Sequence, residues 1–202
     1  PAFAQAATAT VGSGVNLNID AAISITSTAT TTMSTSLNIT TNSAIATTTF
    51  TVKTNSVGGY VLSLVSATTT DPAMKQPTDN TKRINNFVGT NNSYGGTSPH
   101  PELWSTKVAS SAEFGHSVYG DDTSTGTWGT PGNVKCGATS TPSTALEYAP
   151  LASSTATTIA SRTSTTTSAG SVTNVCWAVE QTDFFIASGS YQAMAIATAV
   201  TQ

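Results

Sequence analysis

The segment Val15-Asn16-Leu17-Asn18-Ile19-Asp20-Ala21-Ala22-Ile23-Ser24-Ile25 decides how the rest of the chain reads. Its odd positions carry Val15, Leu17, Ile19, Ala21, Ile23 and Ile25; its even positions carry Asn16, Asn18, Asp20, Ala22 and Ser24. On an extended backbone this period of two separates an apolar face from a polar one, the pattern of a half-buried β-strand. Leu37, Ile39 and Thr41 repeat it, and Phe50 with Val52 marks another strand. Residues 54–59 are a turn by composition. Tyr60-Val61-Leu62-Ser63-Leu64-Val65 is apolar on both faces and belongs inside a sheet.

Composition agrees with sheet. The chain has 202 residues, 7 Lys+Arg, 10 Asp+Glu and a net charge of -3. So few basic residues exclude a nucleic-acid surface, which needs clustered Lys and Arg. Charged residues are 8% of the chain, and Ser with Thr supplies about a third. A disordered chain this poor in large aliphatic residues would carry high net charge, and this one does not. Thr is β-branched and suits a pleated, half-buried surface.

The length predicts one domain, residues 15–202, preceded by an arm over 1–14. Residues 68–101 are polar and rich in Asn, Gly and Pro, and read as a long loop insertion tethered by Ile84, Phe87 and Val88. Short strands are expected near Leu103-Trp104, Val108, Val118-Tyr119 and Thr127-Trp128, with a tight turn at Asp121-Asp122. A Ser/Thr tract over 152–171 reads as loop or weak edge strand. The chain ends in strands over 172–179, 184–186 and 191–201, the last with Met194, Ile196 and Val200 on one face and alanines on the other. No amphipathic helix stands out. The expected class is all-β: an antiparallel β-sandwich, Ig-like or jelly-roll-like, with a closed barrel as the alternative.

Ala2-x-Ala4 and Ala4-x-Ala6 look like the small-residue end of a secretory signal, which points to export. No stretch approaches the length of an apolar membrane span. In an oxidising compartment Cys136 and Cys176 most simply form one disulfide; free thiols or metal ligands are the alternatives, and no CxxC or HxxxH spacing favours metal.

Little in the chain points to catalysis. Gly115-His116-Ser117 is not a nucleophile elbow, and one serine beside a histidine is expected by chance here. Asp121-Asp122 lacks the regular spacing of a calcium loop and reads first as an acid-rich turn. A glycosidase pair of carboxylates has no sequence signature in a β-sandwich, so nothing favours or forbids one. Trp104 and Trp128 lie in the polar middle of the chain and are candidate stacking platforms for a glycan, against a core role; Trp177 is expected in the core near the disulfide. Asn91-Asn92-Ser93 and Asn38-Ile39-Thr40 make Asn91 and Asn38 candidate N-glycan acceptors, and the Ser/Thr tracts candidate O-glycan sites. Lys53, on an otherwise uncharged strand, reads as an edge guard. No cofactor is called for.

An alternating, nearly uncharged segment behind a flexible Ala/Thr/Gly piece can add as a strand to an open sheet of another copy, and head-to-tail repetition builds a fibre. In this charge-poor, Ser/Thr-rich style the chain resembles donor-strand pilins and TasA-type matrix fibre proteins, and also surface-layer subunits. The resemblance implies an extracellular homopolymer in which Phe3, Val11, Val15, Leu17 and Ile19 enter a neighbour's core. A glycan-binding adhesin and a secreted hydrolase are the competing classes.

Overall fold

The computed structural model describes residues 17, 19–28, 30–68, 73–89, 100–104, 111–182 and 185–202. Phe3, Val11, Val15, Asn91 and Val108 lie outside these residues, as does the arm over 1–14. The described chain is all-β, with strands β1 (Ile23–Ser27), β2 (Ser43–Thr54), β3 (Tyr60–Ser66), β4 (Met74–Gln76), β5 (Asp79–Asn86), β6 (Glu102–Leu103) and β7 (Ala112–Gly120). A single helical turn, α1 (Thr125–Trp128), precedes β8 (Gly137–Ala138), β9 (Thr141–Pro142), β10 (Glu147–Tyr148), β11 (Thr157–Arg162), β12 (Ser171–Gln181) and β13 (Ala195–Thr201).

A six-stranded sheet runs β1-β2-β12-β7-β5-β4, and a three-stranded sheet runs β11-β3-β13. Two short ladders, β10-β6 and β8-β9, complete the fold. Every pairing in the two main sheets is antiparallel except one: β5 lies parallel to β7 through Asn85↔Glu113 and Asn86↔Phe114. The arrangement is therefore mixed and not wholly antiparallel as expected.

Period two explains the packing. In β2, Phe50 and Val52 point to one face with Val175 and Val179 of β12 and Phe114 and Val118 of β7. Tyr60, Leu62 and Leu64 of β3 meet them from the three-stranded sheet, so one apolar cluster joins both sheets. The alternate residues Ile45, Cys176 and Ala178 face the opposite way, into a second cluster with Phe87, Trp104, Cys136, Leu146 and Tyr148. The six-stranded sheet is thus covered on both faces. This separates Cys176 from Trp177: the indole stacks on Phe114 at 5.7 Å, on the face away from the disulfide, not beside it as expected.

The β2–β3 turn needs its glycine. Gly59 has φ +81°, and a Cβ there would lie 2.0 Å from the Arg162 carbonyl oxygen. β3 is the middle strand of its sheet, as its apolar run predicts.

Several expected elements differ. Of the strand expected over residues 15–25, the described part is strand at Ile23–Ser27; residues 15, 16 and 18 lie outside the described residues, and Leu17 and Ile19 lie outside the strand and are 81% and 76% exposed. Their alternation finds no partner, because β2 ends at Thr54, opposite Ile23. The insertion over 68–101 contributes β4 and β5, anchored by buried Ile84 and Phe87. Thr127-Trp128 is a helical turn, not a strand. Residues around Asn38 form a turn and not a strand, since the Asn38 side chain captures the backbone amides of Thr40 and Thr41 at 2.8 and 2.9 Å. Lys53 sits on an inner strand with its side chain on the exposed face, so it guards no edge.

Candidate functional site

The expected disulfide forms between Cys136 and Cys176. It fastens the β8–β9 excursion to the middle of β12, with Thr47 Oγ1 3.0 Å from Cys136 Sγ. Tyr148 Oη donates to the Cys136 carbonyl at 3.2 Å, and burial pushes its phenol well above the ordinary tyrosine range.

Both candidate glycan platforms are core residues. Trp104 is 4% exposed, stacked on Phe87 at 5.2 Å and edge-on to Tyr148 at 5.0 Å. Its Nε1 donates to Glu180 Oε2 at 2.7 Å. Trp128 is 2% exposed and lies 5.4 Å from the His116 ring. Neither indole offers a face to a ligand.

His116 sits on the inner face of β7 between Trp128 and Trp177. It is 1% exposed, and neither ring nitrogen has a hydrogen-bond partner of good geometry among the described residues. Burial lowers its pKa to about 4, so it is a neutral core ring. Ser117, its neighbour, points to the opposite face, as period two requires, which separates the two residues of the Gly115-His116-Ser117 stretch.

The acidic turn is a structural tie. Asp122 accepts from Tyr60 Oη at 2.8 Å, from Ser171 Oγ and from Arg162 Nη1 at 3.3 Å. Asp121 Oδ2 accepts the Val172 amide at 3.0 Å. Another acidic pair was not legible in the sequence: Glu113 and Glu180 are register partners across β7 and β12. Glu113 is 1% exposed and accepts from Ser111 Oγ and the Val88 amide at 3.0 and 3.1 Å. Glu180 accepts from Trp104 and Thr182 at 2.7 and 2.9 Å. These donors make the pair part of the packing around Trp104.

Among the described residues, no group of three or more His, Cys, Asp or Glu could hold a metal ion, and no helix is long and apolar enough to cross a membrane.

The surface features are of another kind. Asn38 is exposed, with its Oδ1 accepting the Thr40 hydroxyl at 2.8 Å. Beyond the amino end of β1, the Asn55 side chain imitates one more rung of ladder. Its Oδ1 accepts the Ala22 amide at 2.6 Å, and its Nδ2 donates to the Asp20 carbonyl at 2.9 Å. Asp20 and Ala22 are thereby tied beside the end of β2, and exposed Leu17 and Ile19 precede them in the chain. No protein-family model, curated protein or solved structure matches the chain.

Proposed function

We propose that the chain is a structural subunit of an extracellular filament, a secreted pilus or matrix fibre assembled by strand exchange between copies. Its body is read as a mixed, largely antiparallel β-sandwich, supported by the two sheets that share one apolar cluster. The observation that carries the reading is the exposure of two apolar residues just ahead of the sheet: Leu17 and Ile19 are 81% and 76% exposed, and the Asn55 side chain ties Asp20 and Ala22, between them and β1. No described residue buries Leu17 or Ile19, and such a segment is suited to completing another subunit. The disulfide agrees with an oxidising compartment, and the exposed Asn38 sequon with covalent glycosylation after export.

A surface-layer subunit is the second reading, favoured by the outer face of the three-stranded sheet. There Val61 pairs with Val200 and Val65 with Ile196, and both β13 side chains are at least half exposed. A glycan-binding adhesin loses its platforms with the burial of Trp104 and Trp128.

Electron microscopy of the purified chain beside Val15→Asp/Leu17→Asp tests the filament. Filaments from the natural sequence and monomers from the variant are expected. A natural chain that stays monomeric in all conditions sinks the proposal, and planar arrays would favour the second reading.

A further inference from the structure

The four edges of the two main sheets are not alike. β4 has three residues, carries Lys75, breaks register between Lys75 and Gln76, and is bridged on its outer side by Gln192. β11 carries a register break between Thr158 and Ala160 and ends in Arg162, and its Ser161 amide already donates to the Asp122 carbonyl at 3.0 Å. These are the usual guards against strand addition: short length, bulges, charge and cover. β1 and β13 carry neither a charge nor a register break. Both are free of proline, each pairs on one side only, and the two edges approach one another without forming a ladder.

β13 is the longer, with seven residues. The Gln202 amide donates to the Gly59 carbonyl at 3.1 Å, and the Ala67 amide to the Met194 carbonyl at 2.9 Å. These bonds fix the parity of the strand: even residues turn their backbone groups towards β3. The backbone groups of Ala195, Ala197, Ala199 and Thr201 therefore turn away, towards the edge that no described strand occupies. Ala197 and Ala199 also face the core, against which they are only partly buried, as is Ile23 of β1. The edge thus combines an unused ladder with a core margin lined by the smallest side chains.

We infer that the free edge of β13 is the acceptor for the segment Val11–Ile19 of a second copy of this chain, a deepening that rests on the filament reading. Three observations name this occupant. Neither residues 1–19 nor β13 carries a charge, so pairing them desolvates none. Val15, Leu17 and Ile19 recur every second residue, so on one face they meet the alanine-lined margin. The Asn55 clamp ties Asp20 and Ala22 beside the end of β2, so the chain does not reverse at those residues. Nine extended residues span about 30 Å, more than the length of β13. The contact uses different surfaces on the two copies, so it propagates without closing.

Two full-length variants separate the halves of the contact. Leu17→Asp/Ile19→Asp spoils the donor. Ala197→Pro/Ala199→Pro removes two outward amides of β13 and leaves the ladder to β3 intact. Each alone is expected to stay monomeric, and a mixture to give a 1:1 dimer by sedimentation, one good donor in one good acceptor. A synthetic peptide of residues 10–19 should bind the donor variant and bind at least about tenfold more weakly when Ala199→Pro is added. Peptide binding by circular dichroism-checked protein keeps the test sound should the double proline variant fail to fold. Filaments from the folded proline variant, or peptide affinity unchanged by Ala199→Pro, would overturn the β13 assignment while leaving the filament reading in place. A natural chain that never polymerises and never binds the peptide would overturn both.

Discussion

Tyr60 donates its phenolic hydrogen to Asp122 at 2.8 Å, and this bond joins the two sheets at one end of the molecule. Tyr60 opens β3 of the three-stranded sheet, whereas Asp122 lies in the turn after β7 and also holds Ser171 at the start of β12. Arg162 closes the group from the end of β11, with its side chain about one third exposed. Asp122→Ala leaves Tyr60 and Ser171 without their acceptor, and an expected loss of about 3 kcal/mol corresponds to roughly 10 °C in Tm. Tyr60→Phe removes one donor only and should cost about 1 kcal/mol. Denaturant melts of the two variants read both values.

The same tyrosine predicts an alkaline limit. Burial first, and the Asp122 charge among the further causes, push the Tyr60 pKa up to about 12. The folded state keeps the proton that the unfolded state releases near pH 10, so this contribution is complete below pH 10. It falls as pH rises from 10 to about 12. Tyr60→Phe should flatten that part of the stability curve.

His116 sets the opposite limit. Its pKa falls from 6.5 to about 4 because the ring is buried between Trp128 and Trp177. The unfolded chain takes up the proton first, so the stability present above pH 6.5 is lost as pH falls towards 4. The span corresponds to about 3 kcal/mol. His116→Phe, which keeps an aromatic ring and removes the titration, should hold its Tm more nearly constant between pH 6.5 and 4.

The disulfide closes a loop with a sequence separation of 40 residues. The chain-entropy account gives about 4 kcal/mol for a loop of that size. Reduction, or Cys136→Ser/Cys176→Ser, should lower Tm by roughly 10 °C. Hydrogen exchange should report the greatest loss of protection at residues 137–148, because the bond fastens that excursion to β12.

How far the sequence was legible follows from what alternation encodes. It sorts side chains between faces wherever a partner strand exists, so Phe50 and Val52 share one face of β2, whereas the run over 60–65, apolar on both faces, does not tell which face Leu62 and Leu64 bury. It does not report the partner, and the pattern at Leu17 and Ile19 therefore lies outside β1. Tryptophan burial is a long-range outcome: Trp104 is covered by Phe87, Tyr148 and Glu180, which are distant in sequence. The parallel β5–β7 pair and the Glu113–Glu180 register depend on crossovers that local residues do not specify. The same alternation overturns the placement of Trp177 near the disulfide, since adjacent residues on a strand diverge and Cys176 and Trp177 face opposite ways.

Gly115 predicts how tightly the second apolar cluster is built. It lies in mid-β7 on the face turned to Trp104, where a Cβ would stand 2.9 Å from Phe87 Cβ, 3.1 Å from Trp104 Cζ3 and 3.2 Å from the Ala149 carbonyl oxygen. Phe87 Cβ is the nearest atom and belongs to a rigid part of the chain, so the segment carrying Phe87 must shift along with the indole, which strains the 2.7 Å bond from Trp104 to Glu180. Overpacking of this kind costs about 1–3 kcal/mol. Gly132 is the control, with nothing within 4 Å of a built Cβ and no left-handed φ. Gly132→Ala should change stability by less than about 1 kcal/mol. Gly115→Ala should both lower Tm and shift tryptophan emission to longer wavelength as Trp104 loses its seat. A Gly115→Ala protein as stable as Gly132→Ala, with unchanged emission, would mean that the Phe87–Trp104 stack adapts freely and does not hold the cluster together.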